Sequence, residues 1–144
     1  MGRDSLAERH GGRAASLTQQ VIYHEELARA GARVRQRLAE FRAEAEAVRL
    51  IELRQLTARL KGRPPGPESS IPKLTYSELN VRVNKFAMEL LGPYAQIEYR
   101  ADHALDGGRW LYRMLAARGL TIAAGTSEIQ KNIIGERMLG LPKG

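Results

Sequence analysis

Apolar residues in the first half of the chain recur at helical spacing. Val34, Leu38, Phe41, Ala45 and Val48 are separated by steps of four and three, and Leu53, Leu56 and Leu60 carry the apolar content on to Lys61. This spacing predicts an amphipathic helix of about seven turns or more, with no Gly or Pro to interrupt it. Leu17, Val21 and Ala28 mark an earlier helix, opened by the capping-box pair Ser16 and Gln19 and stopped at Gly31. Residues 1–15 show no period and read as a flexible lead-in. Gly62-Arg63-Pro64-Pro65-Gly66-Pro67 is a linker at which the chain reverses, because proline cannot continue a helix. Ser69 or Ser70 then caps a helix with Pro72 in its first turn and a buried stripe of Leu79, Val83, Phe86 and Leu90. The two long helices should pack antiparallel.

Gly92-Pro93 ends the third helix, and Tyr94 to Gly108 read as irregular, with a tight turn or hinge at Gly107-Gly108. A helix containing Trp110, Leu111, Met114 and Leu115 follows, and a last one runs from Thr126 to Leu139. No segment between the helical pieces alternates apolar and polar residues as a half-buried strand does. The fold class is therefore all-α, an antiparallel bundle of about four to five helices.

Composition narrows the picture. With 144 residues, 43% of them hydrophobic and 27% charged, the chain has enough apolar content for one moderate core. It has no cysteine, which excludes disulfides and thiolate metal sites, and His10, His24 and His103 show no ligand spacing, so no metal is expected. No apolar run is long enough for a membrane span or a signal sequence, and a soluble, cytoplasmic protein is expected. The net charge of +7 raises the question of nucleic acid. Its arginines, however, are interleaved with Glu40, Glu44, Glu46 and Glu52 along one amphipathic helix, the pattern of a solvated face, and no aromatic-interleaved basic motif accompanies them. His24, Glu25 and Glu26 are adjacent on a helix, so their side chains diverge and form a solvated or interface patch. Trp110, Tyr76, Tyr94 and Tyr99 read as core or boundary aromatics.

Most of the chemical information lies in Ala123-Ala124-Gly125-Thr126-Ser127-Glu128-Ile129-Gln130. Ser127 and Gln130 have capping-box spacing, so the chain should turn at Gly125 and begin a helix whose first N–H groups attract an anion. Plain capping explains the same residues.

The run from Thr121 to Leu141, TIAAGTSEIQKNIIGERMLGL, resembles the C-terminal signature of the acyl-CoA dehydrogenase family, flavoproteins that form the α,β double bond of acyl-CoA thioesters. Gly11-Gly12-Arg13 and Ser16 to Ala32 resemble part of that family's N-terminal helical domain, and the sequence from about Val34 to Leu79 is similar to the helical hairpin of its C-terminal domain. The resemblance implies a lead-in over 1–15, an N-domain-like helix over 16–32 and a C-terminal-domain-like bundle over 33–144. It also implies that the middle β domain separating these regions in the family is missing, whether in a short gene or through a reading-frame artefact.

For the site, the resemblance implies FAD contacts at Thr126, Ser127 and Glu128 and a substrate contact at Gly125, with helix capping alone as the plain alternative for all four. The family's usual base, a glutamate before the Gly-Thr pair, falls at Ala124, which has no proton acceptor, so no catalytic residue is assigned. The family's Gln-x-x-Gly-Gly motif falls at Glu89 to Pro93, where two of its three defining residues differ. Arg137 lies in the closing pattern as a charge-pair or helix-end residue. The resemblance thus implies an oxidoreductase of fatty acid metabolism that acts on acyl-CoA with FAD, incomplete as an isolated chain, in a homo- or hetero-oligomer with dehydrogenase subunits. The alternative is a non-catalytic helical module that associates with full-length subunits.

Overall fold

The computed structural model describes residues 17–143, leaving aside the side chains of Leu17, Gln20, Tyr23 and His24; the lead-in, the Ser16 cap and the Gly11–Arg13 motif lie outside the described residues. Among the described residues the structure is helical, without strands. Four α-helices follow one another: α1 (Leu17–Leu60), α2 (Ser70–Leu91), α3 (Arg109–Ile122) and α4 (Ser127–Ile133). The chain divides into two units, Met1–Glu40 and Phe41–Gly144.

The described part of the first unit is helix throughout, which corrects the expected stop at Gly31: α1 runs on to Leu60 without a break. Gly31 does not have a positive φ, and it sits among Ala28, Arg29, Ala30, Ala32 and Arg33, all good helix formers. One interior glycine costs about 1 kcal/mol relative to alanine, less than ending a helix that has no cap or proline to stop it. Arg29 reaches Glu25 and Glu26, and Arg37 meets Glu40 at 2.8 Å, the solvated charge face expected from the sequence. Leu38, expected in the apolar stripe, is exposed, as are Val21, Ile22 and Leu27.

The second unit is built on an antiparallel seam. Phe41 packs edge-on against Phe86 with ring centroids 5.7 Å apart, Arg82 forks onto both carboxylate oxygens of Glu44, and Gln55 Nε2 donates to Glu68 O at 3.0 Å. The partners on α1 rise from 41 to 55 while those on α2 and the turn just before it fall from 86 to 68. The reversal is made where the prolines predicted it. Gly62 N–H donates to Arg59 O and Arg63 N–H to Ala58 O, a Schellman closure of α1, and a 3₁₀ turn over Pro67–Ser69 leads into α2. Ser69 is the N-cap residue of α2, but its hydroxyl donates back to Gly66 O and does not cap the helix.

Helix α2 packs against both α3 and α4. Close approach is made by small and polar residues: Ala117 on α3 is 1% exposed and Ser77 on α2 is 2% exposed, with the Ser77 hydroxyl satisfied by Leu74 O. The apolar core of the described residues is only Phe41, Val48, Leu79, Ala95 and Ala117. Leu90, expected inside, is exposed, as are Leu53, Leu56, Leu60 and Leu115. Tyr76, Tyr94 and Tyr99 are likewise at the surface, where Tyr99 stacks under the Arg100 guanidinium. Leu56 and Tyr76 line an open groove between α1 and α2 together with Glu52, Arg59 and Lys73.

The segment expected to be irregular contains two 3₁₀ turns, Gly92–Gln96 and Leu105–Gly108. Gly107 and Gly108 both have positive φ, and a Cβ on Gly108 would lie 2.7 Å from the Cα of Tyr99. The glycine is needed for backbone-to-backbone contact as well as for the turn. The last helix also differs from expectation, because α4 gives way to a π turn over Ile134–Met138. Leu139 N–H donates to Ile134 O and Leu141 N–H to Gly135 O, so the helix end is widened by one residue before Gly140.

Two substitutions test these points by urea denaturation. Gly31→Ala should raise stability by about 0.5–1 kcal/mol, because the site is helical and open; a helix stop there would give a loss. Gly108→Ala should cost about 1–3 kcal/mol through left-handed strain, and more if Tyr99 is displaced.

Candidate functional site

The segment from Ala123 to Gln130 is a tight turn followed by a helix start, and the fold holds it from two sides. Ala123 is extended (φ −59, ψ 143) and Ala124 is left-handed (φ 55), the sequence of conformations in a type II turn, where glycine usually takes the second place. Gly125 follows at φ 96, and Thr126 returns to extended backbone (φ −63, ψ 164). A non-glycine residue in the left-handed region costs of order 1 kcal/mol or more and persists only where its surroundings impose it.

Two side-chain donors impose it, one on each of two successive carbonyls. Gln130 Nε2 donates to Ala124 O at 2.9 Å, and the Lys73 ammonium, from α2, donates to Gly125 O. Gln130 is 6% exposed, and its amide lies where a Cβ on Gly125 would be, 2.7 Å away. Gly125 is therefore required both by its φ and by the space Gln130 fills. Lys131 on α4 approaches Glu78 of α2 at 3.8 Å, a second link between the same helices.

The capping expectation needs correction at this point. Thr126, not Ser127, is the N-cap residue: its hydroxyl accepts from Ile129 N–H at 3.3 Å and its carbonyl from Gln130 N–H at 2.9 Å. Ser127 is the first helical residue, and Gln130 reaches back to the turn and not to the Ser127 backbone. The helix start expected to attract an anion is partly occupied by the chain's own carboxylate. Glu128 receives hydrogen bonds from its own backbone N–H and from the Thr126 hydroxyl, which hold its carboxyl below the usual glutamate range, with Lys131 and Lys73 acting in the same direction. That carboxylate takes these two donors and the positive end of the helix, which an external anion would otherwise meet.

Gly125, Thr126, Ser127 and Glu128 are brought together on this one turn. Gly125, Thr126 and Ser127 are half-buried and Glu128 is exposed. Among the described residues the N–H groups of Gly125 and Thr126 meet no acceptor. Glu89 to Pro93 lie apart from these four in sequence, at the end of α2 and the start of the next 3₁₀ turn. Arg137 lies in the last turn of the π segment, exposed and without an ion pair among the described residues, suited to the negative end of the helix. No cluster of three or more metal-ligating side chains occurs among the described residues, and no described helix is long and apolar enough to cross a membrane.

The sequence model of the acyl-CoA dehydrogenase C-terminal domain matches residues 4–139. The chain belongs to the acyl-CoA dehydrogenase family. It is 36% identical over 109 residues to acyl-CoA dehydrogenase FadE26 of Mycobacterium tuberculosis, a match covering 74% of this chain and 27% of that protein. It is 31% identical over 113 residues to acyl-CoA dehydrogenase IpdE1 of Mycolicibacterium smegmatis, covering 76% and 26%. The chain therefore spans about a quarter of the length of these relatives. Among solved structures, the ChsE4-ChsE5 complex of M. tuberculosis superimposes with a TM-score of 0.67 at 32% identity, covering 77% of this chain and 28% of the matched one. The Tcur3481-Tcur3483 steroid acyl-CoA dehydrogenase superimposes at 0.69 and 23% identity, covering 89% and 36%, a likeness of fold. The helical bundle is that of the C-terminal domain of this dehydrogenase family, and the sequence match includes residues 16–32.

Lys73 carries no local signal in the sequence, because its partner is 52 positions away. Gln130 was legible as a helix-start residue, while its contact with Ala124 depends on the turn conformation.

Thr126→Val should remove both the cap and the Glu128 hydrogen bond. Helix stability should fall by about 1 kcal/mol, and the Glu128 carboxyl midpoint, followed by ¹³C NMR, should rise toward the ordinary range. A carboxyl depressed in the folded state contributes stability above its unfolded pKa and loses it as pH falls through the lower folded value. The wild-type advantage over the variant should therefore shrink on acidification below the usual glutamate range.

Proposed function

We propose that this chain is the helical, C-terminal part of a flavin-dependent acyl-CoA dehydrogenase site, completed by protein outside these residues. The observation that carries this reading is the turn at Ala124–Glu128. Its carbonyls are tied inward, while two N–H groups and the Ser127 hydroxyl have no partner among the described residues. The isoalloxazine edge carries carbonyl and ring-nitrogen acceptors and one N–H, so the Thr126 N–H and Ser127 hydroxyl fit as donors and the Glu128 carboxylate as an acceptor on the flavin side, with Gly125 toward the substrate. When bound, the flavin supplies the two-electron oxidising capacity for α,β-dehydrogenation of an acyl-CoA thioester. This chain binds and orients; at Ala124 it offers no atom that can accept the α-proton.

The base and the remaining flavin contacts then come from a companion domain or subunit. The thin core supports this, since Leu50, Leu53, Leu56, Leu60 and Leu90 stay exposed and need a covering surface. The naming of two chains in the related ChsE4-ChsE5 complex supports a hetero-oligomeric arrangement. We assign the segment over 16–32 to the C-terminal bundle, because α1 continues through it and the domain match includes it.

The second reading, a non-catalytic module that binds full-length dehydrogenase subunits, is favoured by Ala124 alone. Visible absorbance of the purified chain, alone and with a base-bearing acyl-CoA dehydrogenase subunit, separates the two. The proposal expects a colourless chain that acquires flavin, bleached by acyl-CoA, only in the complex. A complex that forms without flavin at the turn supports the module, and tight flavin binding with turnover by the chain alone overturns the need for a companion.

A further inference from the structure

The Lys73 ammonium is half-buried on α2 and donates to a backbone carbonyl 52 residues later, in the turn that carries the candidate site. A lysine side chain loses much conformational freedom when it is fixed this way, so the contact implies a constraint on the turn more than a gain in packing. Peptide geometry shows what is constrained. In a trans peptide the C=O and the following N–H point in opposite directions. Holding Ala124 O toward Gln130 therefore aims the Gly125 N–H away from Gln130, and holding Gly125 O toward Lys73 aims the Thr126 N–H away from Lys73. These are the two N–H groups that meet no acceptor among the described residues. The left-handed Ala124 is the conformation this arrangement requires.

We infer that Lys73 is a positioning residue, which with Gln130 clamps the carbonyls of Ala124 and Gly125 and so presents the N–H groups of Gly125 and Thr126 outward as the ligand-facing donors of the turn. The clamp itself is independent of which ligand the turn meets; its use for flavin rests on the proposed function. Gln130 belongs to the helix that the turn begins, so it can follow that helix. Lys73 ties the turn itself directly to α2, and it also faces Glu128 together with Lys131, the two cations that favour the Glu128 carboxylate.

The test compares Lys73→Met, which keeps the length of the side chain and removes the charge and donor, with Lys73→Arg, which keeps both. Leu79→Ala, in the buried face of the same helix, destabilises α2 without touching the turn. In the folded proteins, the amide resonances of Gly125 and Thr126 and the Glu128 carboxyl midpoint are followed by NMR. The clamp expects the amides to shift and the Glu128 midpoint to rise in Lys73→Met, to return most of the way in Lys73→Arg, and to stay at wild-type values in Leu79→Ala. In the complex with a base-bearing subunit, FAD affinity should fall about tenfold in Lys73→Met, the order expected for losing one charge-assisted hydrogen bond. Unchanged Gly125 and Thr126 amides in Lys73→Met, or the same shifts in Leu79→Ala, overturn the clamp. Shifts in the expected pattern in a protein whose wild type takes no FAD in complex uphold the clamp and overturn the flavin assignment instead.

Discussion

The antiparallel seam between α1 and α2 is the constraint on which the rest of this structure depends. Phe41 against Phe86, Glu44 against Arg82 and Gln55 against Glu68 O set the axial position of α2 along α1. An aromatic contact contributes area, a forked ion pair contributes direction, and the side-chain bond to Glu68 O fixes the loop end. With α2 placed, Lys73 is placed, and through it the turn at Gly125. Sliding α2 by one helical turn would move Lys73 about 5 Å and release that carbonyl.

The same seam explains why so much apolar surface remains outside. Two helices bury one stripe each, and α3 and α4 cover only part of α2's remaining surface. The five apolar residues of the core are too few to account for the chain's leucines, and most leucines of α1 are exposed. The chain spans about a quarter of the length of the relatives it matches, and on the proposed function that surface is where further protein packs. The same proposal accounts for the half-buried turn as a surface for a ligand held between this chain and its companion.

The turn combines conformations that are unfavourable one by one. Ala124 takes a left-handed φ without being glycine, and Gly125 has no room for a side chain. Each is held by a specific partner, Gln130 on Ala124 O and Lys73 on Gly125 O, while the Glu128 charge is favourable in the first turn of the helix. Such local strain with dedicated support is characteristic of sites where backbone geometry itself is used.

Local patterns in the sequence were enough for the helical class, the reversal at Gly62–Pro67, the antiparallel pairing and the position of the turn at Gly125, because periodicity, proline geometry and glycine conformation act over a few residues. The family signature at Thr121–Leu141 was legible for the same reason. Gly31 misled because a lone glycine is a weak stop, and its neighbours outweigh it. Leu38 and Leu90 misled because helical spacing says which residues share a face but not whether anything covers that face. The choice of Thr126 over Ser127 as the cap, the occupation of the helix start by Glu128 and the hold of Lys73 on Gly125 were decided by tertiary structure alone. They depend on backbone angles within the turn and on a helix brought across 52 residues, distances over which sequence spacing carries no geometric information.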